Sequence, residues 1–169
     1  VLKNMDDHIG RIIDEIDTLG LSKKTLIIFT SDNGPSDGAR KYLQGQKPAG
    51  FAGIYRGRKW SNYEGGIRMP FIAVWPGHIT PGSEDNTSMM STLDLSPTFC
   101  KIAGVPVESN LDGTDRSSVL LGTPSDRKPL FWQYGHPHSV LKGGLVNHLS
   151  PTFAMRDGQF KYMVNPDGS

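Results

Sequence analysis

Apolar residues recur every three or four positions over the first part of the chain, from residue 2 to residue 19. The residues with this spacing are Leu2, Met5, Ile9, Ile12, Ile13, Ile16 and Leu19. Side chains spaced in this way lie on one face of a helix, and Gly20 follows them as a stop signal. The sequence therefore predicts a helix over 2–19 with one buried face.

Two continuous apolar runs, 25–30 and 71–75, lack this periodicity. Such runs are typical of strands that are buried on both faces in a parallel sheet. A helix followed by a buried strand favours an α/β fold. Between the two strands, residues 31–66 show no apolar periodicity and contain many glycines. A connection of this length in a compact domain usually has a function.

The second half of the chain predicts a different arrangement. Its elements are a helix over 91–103, a short helix near 117–121, a strand over 130–134 and a hairpin over 153–164. Ser91 or Thr92 suits the N-cap of the longer helix, and Gly104 suits its end. Asp157-Gly158 is a turn dipeptide that joins antiparallel strands. We therefore expect a small antiparallel sheet, separate from the first sheet, near the C-terminus.

Composition and charge narrow the class of protein. The chain has 169 residues, 36% of them apolar, and its net charge is 18 − 17 = +1. Without a basic run or a basic excess, nucleic acid and an anionic membrane surface are not expected partners. No apolar stretch reaches the ~20 residues of a membrane-spanning helix. The single cysteine, Cys100, excludes an internal disulfide, and we interpret it as a small core residue.

The first candidate for chemistry is Ser31-Asp32-Asn33-Gly34, which directly follows the first predicted strand. In open α/β sheets, ligands bind beyond the carboxyl ends of the strands. A carboxylate beside an amide oxygen suits a hard cation such as Ca²⁺ or Mg²⁺. The alternative is that Asn33-Gly34 is simply a tight turn.

The second candidate is a group of cations spread over residues 56–68. Its members are Arg56, Arg58, Lys59 and Arg68, and glycines lie among them. Glycines let the backbone approach a ligand closely, and these cations suit an oxyanion such as sulfate or phosphate. The alternative is a solvated, positively charged loop.

These motifs occur in an order that resembles a known family. They are Asp32-Asn33-Gly34, Gly57-Arg58-Lys59, Tyr63 to Pro70, Trp75-Pro76-Gly77, Asp94 to Phe99 and Leu111-Asp112-Gly113. Together they resemble the second half of formylglycine-dependent sulfatases, the arylsulfatase family of the alkaline-phosphatase-like superfamily. The segment from Ala154 to Lys161 is similar to the C-terminal sheet of that family.

The resemblance implies a fold and a set of roles. Residues 1–125 would be the C-terminal part of the catalytic α/β domain, a mixed sheet flanked by helices, and residues 126–169 the start of a smaller antiparallel subdomain. Asp32 and Asn33 would bind the divalent cation, usually Ca²⁺ with Mg²⁺ as the alternative. Lys59 would contact the sulfate oxygens as a catalytic and substrate-binding residue, whereas the glycines and charged residues of 64–68 would shape the loop.

The sequence also departs from the family pattern. The formylglycine nucleophile of the family forms from Cys or Ser in a Cys/Ser-x-Pro-x-Arg motif, and these 169 residues contain no such motif. We therefore expect formylglycine in an N-terminal part outside this sequence, and no activity from this chain alone. His136 and His138 follow a predicted strand where related sulfatases contact substrate. The alternative for both is an exposed loop histidine.

The resulting expectation is a sulfatase that cleaves a sulfate monoester of a small molecule or a saccharide. The family resemblance favours a periplasmic or secreted protein, and the sequence sets no oligomeric state. One alternative is a phosphatase or phosphodiesterase of the same superfamily, although such enzymes normally bind two zinc or manganese ions through several Asp and His. The other is a non-catalytic module that binds an anion or a partner. The pair Asp32-Asn33 together with Lys59 favours the sulfatase.

Overall fold

A computed structural model describes residues 2–36, 50–125, 128–134 and 149–169. The chain divides into two compact units. The first unit comprises Val1–Phe29 and Ile72–Ser125, and the second comprises Thr30–Phe71 and Asp126–Ser169. The assignment of 1–125 and 126–169 to two domains of a larger protein stays a prediction. In the ranges that the structure describes, no helix has the length and apolar character that a membrane span needs.

The first helix, α1, spans Leu2–Thr18 and confirms the helical periodicity. The helix ends at Thr18, and the φ of +68° at Gly20 lets the Leu21 N–H donate to the Ile16 carbonyl oxygen at 2.9 Å. Such a bond satisfies a carbonyl that the helix end would leave without a partner. The expected burial is wrong, however: within Leu2–Thr18 no residue is buried, and Ile12 is 62% exposed. Periodicity selects the face of a helix, but burial requires an element packed against it.

Strands β1 (Ile27–Thr30) and β2 (Phe71–Val74) form a two-stranded sheet. Both lie where the sequence predicts strands. The prediction that both faces are buried is wrong, because Phe29 is 42% and Ile72 is 56% exposed. In the described residues between the strands, 31–36 and 50–70, the chain is irregular, as expected, except for the single helical turn α2 at Glu64–Ile67.

The predicted helix over 91–103 begins with a 3-10 turn at Thr92–Asp94 and continues as α3 at Leu95–Ile102. The Ser91 side chain accepts from the Leu93 N–H at 3.3 Å, and Asp94 Oδ2 accepts from the Ser91 N–H at 2.8 Å. This reciprocal capping confirms Ser91 as the start of the helix. Pro97 fits in α3 because it lies in the first turn, where helical N–H groups have no intrahelical acceptor.

The motif residues around α3 have structural roles. Asp94 is fully buried, and its Oδ1 also accepts from the Thr114 N–H at 2.8 Å. Thr98 Oγ1 accepts from the Arg116 N–H at 2.8 Å. Helix α4 (Ser117–Leu120) follows directly, near its predicted position. These bonds join α3 to the segment that begins at Gly113.

Strands β3 (Leu130–Gln133), β4 (Phe153–Asp157) and β5 (Phe160–Val164) form an antiparallel sheet in the order β3-β4-β5. This confirms the separate C-terminal sheet. Its inward residues include Leu130 and Ala154, which are 8% and 4% exposed. β4 runs one residue further than predicted, since Asp157 pairs with Phe160.

Candidate active site

The loop after β1 carries the two predicted metal ligands. Ser31 Oγ donates to the Asn33 carbonyl oxygen at 2.9 Å, which closes a bend. Asn33 Nδ2 donates to the Gly34 carbonyl oxygen at 2.9 Å, so its Oδ1 atom faces the other way. Asn33 is half-buried, whereas Asp32 is exposed. The turn and ligand interpretations are therefore compatible, because the bend itself presents two oxygen donors.

Close backbone contacts join this loop to α2. The Gly34 N–H donates to the Gly66 carbonyl oxygen at 2.9 Å, and the Gly65 N–H donates to the Arg56 carbonyl oxygen at 2.8 Å. A Cβ atom on Gly34 would overlap the Gly65 carbonyl oxygen, and one on Gly65 would overlap the Gly57 carbonyl oxygen. Glycine is therefore required at both positions because the backbones touch.

Lys59 lies beside the same loop. Its backbone N–H donates to the Pro35 carbonyl oxygen at 2.9 Å, and Arg58 Nη1 donates to the Ser36 carbonyl oxygen at 3.0 Å. Trp60 has a φ of +71°, a left-handed conformation that costs about 1–2 kcal/mol for a residue with a side chain. The Lys59 ammonium lies 5.8 Å from the centroid of the Trp60 ring. Backbone bonds and this strained turn together fix where the Lys59 side chain leaves the loop.

A cavity of about 770 Å³ opens among these segments. Its lining includes Ser31, Asn33, Phe51, Tyr55, Lys59 and Arg68. The volume is in the range of small-molecule sites, and the Arg68 guanidinium lies 4.9 Å from the centroid of the Tyr55 ring. Asn33 and Lys59 thus line the same cavity, together with the Arg68 guanidinium and the rings of Phe51 and Tyr55. Such a lining suits a ligand with an anionic group and an apolar or ring-shaped body.

Glu64, at the start of α2, is half-buried among cations. Arg156 Nη1 donates to Glu64 Oε2 at 2.6 Å, and Lys161 Nζ donates to Glu64 Oε1 at 2.8 Å. Burial favours the neutral acid, but the hydrogen bonds and charges of Lys161 and Arg156 outweigh it and lower the pKa of Glu64. Glu64 is therefore a carboxylate at neutral pH, and it faces the hairpin rather than a ligand.

Asn62 is 1% exposed and binds the chain just before β4. Its Nδ2 donates to the carbonyl oxygens of Pro151 and Thr152 at 3.1 and 2.9 Å. Its backbone N–H donates to Ser150 Oγ at 2.8 Å. These bonds attach the Lys59 loop to the C-terminal strands independently of Glu64.

Sequence reasoning missed the roles of Asn62, Arg156 and Lys161. The turn predicted at Asp157-Gly158 would place Arg156 opposite Gln159, whereas the observed turn at residues 158–159 places Arg156 directly opposite Lys161. Like charges at opposite positions of a strand pair are destabilising unless an anion lies between them. The observed register therefore requires an anion near Arg156 and Lys161, but neither this register nor the identity of the anion as Glu64 could be read from local pattern.

Other predicted residues lie elsewhere or outside the described chain. His136, His138 and His148 lie outside the described residues, so a substrate contact of His138 stays a prediction. His78 stacks on Trp75, with ring centroids 3.9 Å apart. Cys100 is a half-buried free thiol on α3, which fits a packing role.

The donor set fits a hard cation in part. Asp32 and Asn33 offer carboxylate and amide oxygens, the atoms that Ca²⁺ and Mg²⁺ prefer. Across the described part of the chain, His, Cys, Asp and Glu do not form a group of three or more able to hold a metal ion. Ca²⁺ takes about 6–8 oxygen ligands, so this loop would be one contributor to a larger site.

Comparison with known proteins defines the class. The family model described as Sulfatase matches residues 1–105, more than half of the chain. Arylsulfatase A of Homo sapiens is 39% identical over 170 residues, which cover 99% of this chain and 30% of that protein. The chain belongs to the sulfatase family. It spans about 30% of the length of the curated relatives that match along its whole length.

Solved structures agree on the fold. The PsFucS1 sulfatase from Pseudoalteromonas sp. is 29% identical and superposes with a TM-score of 0.71, over 95% of this chain and 29% of that one. BT4656, solved in complex with its substrate D-glucosamine-2-N,6-O-disulfate, is 26% identical with a TM-score of 0.67, over 97% and 30%. The alkaline-phosphatase-like α/β class predicted from the motifs is thereby confirmed.

Proposed function

We propose that this chain is the C-terminal portion of an enzyme that hydrolyses sulfate monoesters. The observation that carries the proposal is the hydrogen bond from the Lys59 N–H to the Pro35 carbonyl oxygen. This bond fixes Lys59 next to residues 31–34, the oxygen-donor loop, so that Asn33 and Lys59 line one cavity. A cation site beside a lysine is suited to an anion whose negative charge grows during reaction.

Lys59 is proposed to contact the sulfate oxygens. Its ammonium is a compact charge on a flexible stem, which can follow the oxygens as the ester bond lengthens. Charge placed where negative charge develops stabilises the transition state more than the ground state. Lys59 is thus the catalytic group that we assign within the described residues.

Asp32 and Asn33 are proposed to hold the divalent cation, Ca²⁺ or Mg²⁺, with ligands from outside this sequence. The cation would offset charge on the sulfuryl oxygens when bound. The nucleophile, a hydrated formylglycine, is proposed to come from a preceding part of the protein. The hydrogen bonds of Ser31 and Asn33 already hold the backbone of this bend and the Asn33 amide, so an ion could bind there without a rearrangement of the backbone.

The proposed substrate is a sulfated small molecule or saccharide. BT4656 acts on a disulfated glucosamine, and the cavity of the present chain combines cations with the rings of Phe51 and Tyr55. Aromatic faces suit the apolar face of a sugar or an aryl group. His138 is a further proposed substrate contact. A protein with such substrates is proposed to be exported to the periplasm or the medium.

Kinetics of the full-length protein test the proposal. Wild-type protein should hydrolyse an aryl sulfate, and Lys59→Ala should lower kcat/KM by about 100- to 1000-fold. Lys101→Ala, at an exposed lysine of α3, is the matched control and should change kcat/KM by less than about twofold. Turnover of an aryl phosphate with none of the sulfate ester would instead support the phosphatase alternative.

Two further measurements test the cation and the nucleophile. Asp32→Ala should weaken Ca²⁺ binding by the full-length protein, as measured by calorimetry. The isolated 169-residue chain should show no turnover, because catalytic groups that act as a unit leave little rate when one is lost. Turnover by that chain at the rate of the full-length protein would contradict a nucleophile outside these residues.

A further inference from the structure

The ionic cluster around Glu64 joins residues that are far apart in sequence. Arg156 and Lys161, on β4 and β5, approach the Glu64 carboxylate to 2.6 and 2.8 Å, and Arg68 Nη1 lies 3.7 Å from it. The side chains of Glu64, Arg156 and Lys161 are 22%, 23% and 15% exposed. The exposed pair Lys3–Asp7 on α1 is 86% and 56% exposed. Solvent therefore screens the Glu64 cluster less than an ordinary surface pair.

Glu64 is connected both to the loop that carries Asn33 and to the turn that carries Lys59. Through the backbone, the next residue, Gly65, bonds to Arg56, and Gly66 accepts from the Gly34 N–H. Gly34 ends the oxygen-donor loop, and the segment after Arg56 leads to Lys59. A shift of Glu64 would therefore displace the loop that carries Asn33 as well as the turn that carries Lys59.

A second route runs through side chains. Arg68, one turn after Glu64, lines the cavity and lies close to the same carboxylate. Lys161 Nζ also donates to the Asn62 carbonyl oxygen, so one ammonium contacts both residues that attach the loop to the C-terminal strands. The hairpin thus holds residues 62–68 by charge and by hydrogen bonds.

We propose that the β4–β5 hairpin, through Lys161 and Arg156, positions the Glu64 turn so that Lys59 and Asn33 meet at the cavity. Glu64 and Lys161 are positioning residues, which act through Lys59 and Asn33 rather than by contact with substrate. The assignment of Lys59 to a sulfate ester rests on the proposed function, whereas the mechanical coupling rests on the contacts alone. Because a misplacement of about 1 Å can reduce an enzymatic rate by about 100-fold, such coupling has a kinetic consequence.

The test uses the full-length protein and the variants Lys161→Met and Glu64→Gln, with Lys161→Arg as the conservative rescue. Lys3→Met, which removes the exposed pair on α1, is the matched control. Hydrogen exchange is measured for peptides that cover 31–36, 56–67 and 111–118, together with kcat and KM for an aryl sulfate. The last peptide contains the Thr114 and Arg116 amides of the other unit and reports on global unfolding.

We expect exchange in 31–36 and 56–67 to rise by about tenfold in Lys161→Met and Glu64→Gln, with 111–118 unchanged. In the same variants kcat should fall by at least about tenfold. Lys161→Arg should restore most of both quantities, and Lys3→Met should leave both unchanged. A rise of exchange that is confined to these two regions and is reversed by Lys161→Arg would indicate positioning. An ion pair that only stabilises the fold would instead change exchange in all three regions.

An equal rise of exchange in all three regions, or unchanged exchange in 31–36 and 56–67, would overturn the proposal. So would a wild-type kcat alongside increased exchange. If Lys161→Met does not fold, the near-isosteric Glu64→Gln decides the question. If the wild-type protein hydrolyses no sulfate ester, the proposed function fails, and the exchange data alone then decide whether the hairpin holds the loop.

Discussion

Helix α1 and the described part of the segment 31–68 differ in how regular backbone structure relates to burial. α1 has regular hydrogen bonds and a strong apolar periodicity, yet within Leu2–Thr18 no residue is buried. In the described part of 31–68, regular structure amounts to the single turn α2, yet Asn62, Gly65 and Gly66 are buried. Regularity and burial are thus separate properties. Backbone contacts and charge bury an irregular loop, whereas periodicity alone leaves a helix face exposed.

The same contrast is visible at single glycines. A Cβ atom on Gly10, in α1, would meet nothing within 4 Å, whereas one on Gly65 would overlap the Gly57 carbonyl oxygen. Gly10 lowers the stability of its helix relative to alanine, whereas Gly65 is required because its loop has no room for a side chain. Substitutions in the two regions should therefore have different sizes and even different signs.

The largest effect is expected for Gly65→Ala. The added methyl group has no room between backbone atoms, so the loop must shift, and we expect a loss of about 3 kcal/mol or more in the free energy of unfolding. Urea denaturation followed by circular dichroism measures it. A loss below about 1 kcal/mol would show that the backbone contact yields easily.

Asn62→Ala is next in size. It leaves the carbonyl oxygens of Pro151 and Thr152 without their amide donor in a site that is nearly closed to solvent. We expect a loss of about 2 kcal/mol, since a lost donor costs about 1–3 kcal/mol. Asn4→Ala, at an exposed position of α1, is the control and should change stability by less than about 0.5 kcal/mol. Equal effects at the two sites would remove the distinction between the regions.

The pH dependence of stability tests the contribution of the ion pairs around Glu64. The pKa of Glu64 in the folded protein lies below its ordinary value of 4.5, because Lys161 and Arg156 outweigh burial. A lowered folded pKa adds stability that is fully present above the unfolded pKa and is lost as pH falls through the folded pKa. The stability advantage of wild type over Glu64→Gln should therefore be constant above about pH 5 and shrink on acidification. An advantage that grows toward low pH would contradict the ion pairs.

The smallest effect, and the one of opposite sign, is expected for Gly10→Ala. Alanine has the higher helix propensity, and the site has space for a methyl group. Stability should rise by about 0.5–1 kcal/mol, readable as a higher urea midpoint. A destabilised Gly10→Ala would mean that α1 is packed more closely at this face than its exposure indicates.

Local pattern predicted most of the elements, because helix and hairpin signals depend on neighbours in sequence. The 2–19 periodicity, the Ser91 cap and the turn near 157–158 each led to the element that the structure contains. Burial of α1 and of the strand faces was not predictable, because it depends on what covers them. The partners of Glu64 were hidden for a related reason, since they lie 92 and 97 positions away.

For the site itself, the residue types and the glycines indicated the loops that meet at the cavity, and the family resemblance supplied the roles of Asp32, Asn33 and Lys59. The pattern did not show which carbonyl Lys59 binds through its backbone, or that Asn62 is only 1% exposed. Such bonds follow from the path of the chain in space. Amphipathic periodicity carries no information about them.

The sequence separation of the Glu64 contacts also sets an order of events in time. Ribosomes add about 5–20 residues per second, so the Lys161 codon is read roughly 5–20 s after that of Glu64. The hydrogen bonds of a helix such as α1 can form on the microsecond timescale, because they join near neighbours in sequence. The ion pairs of Glu64 with Arg156 and Lys161, by contrast, cannot form until the residues of the β4–β5 hairpin have been synthesised. The contacts that hold the Glu64 turn are therefore made later than the hydrogen bonds within α1.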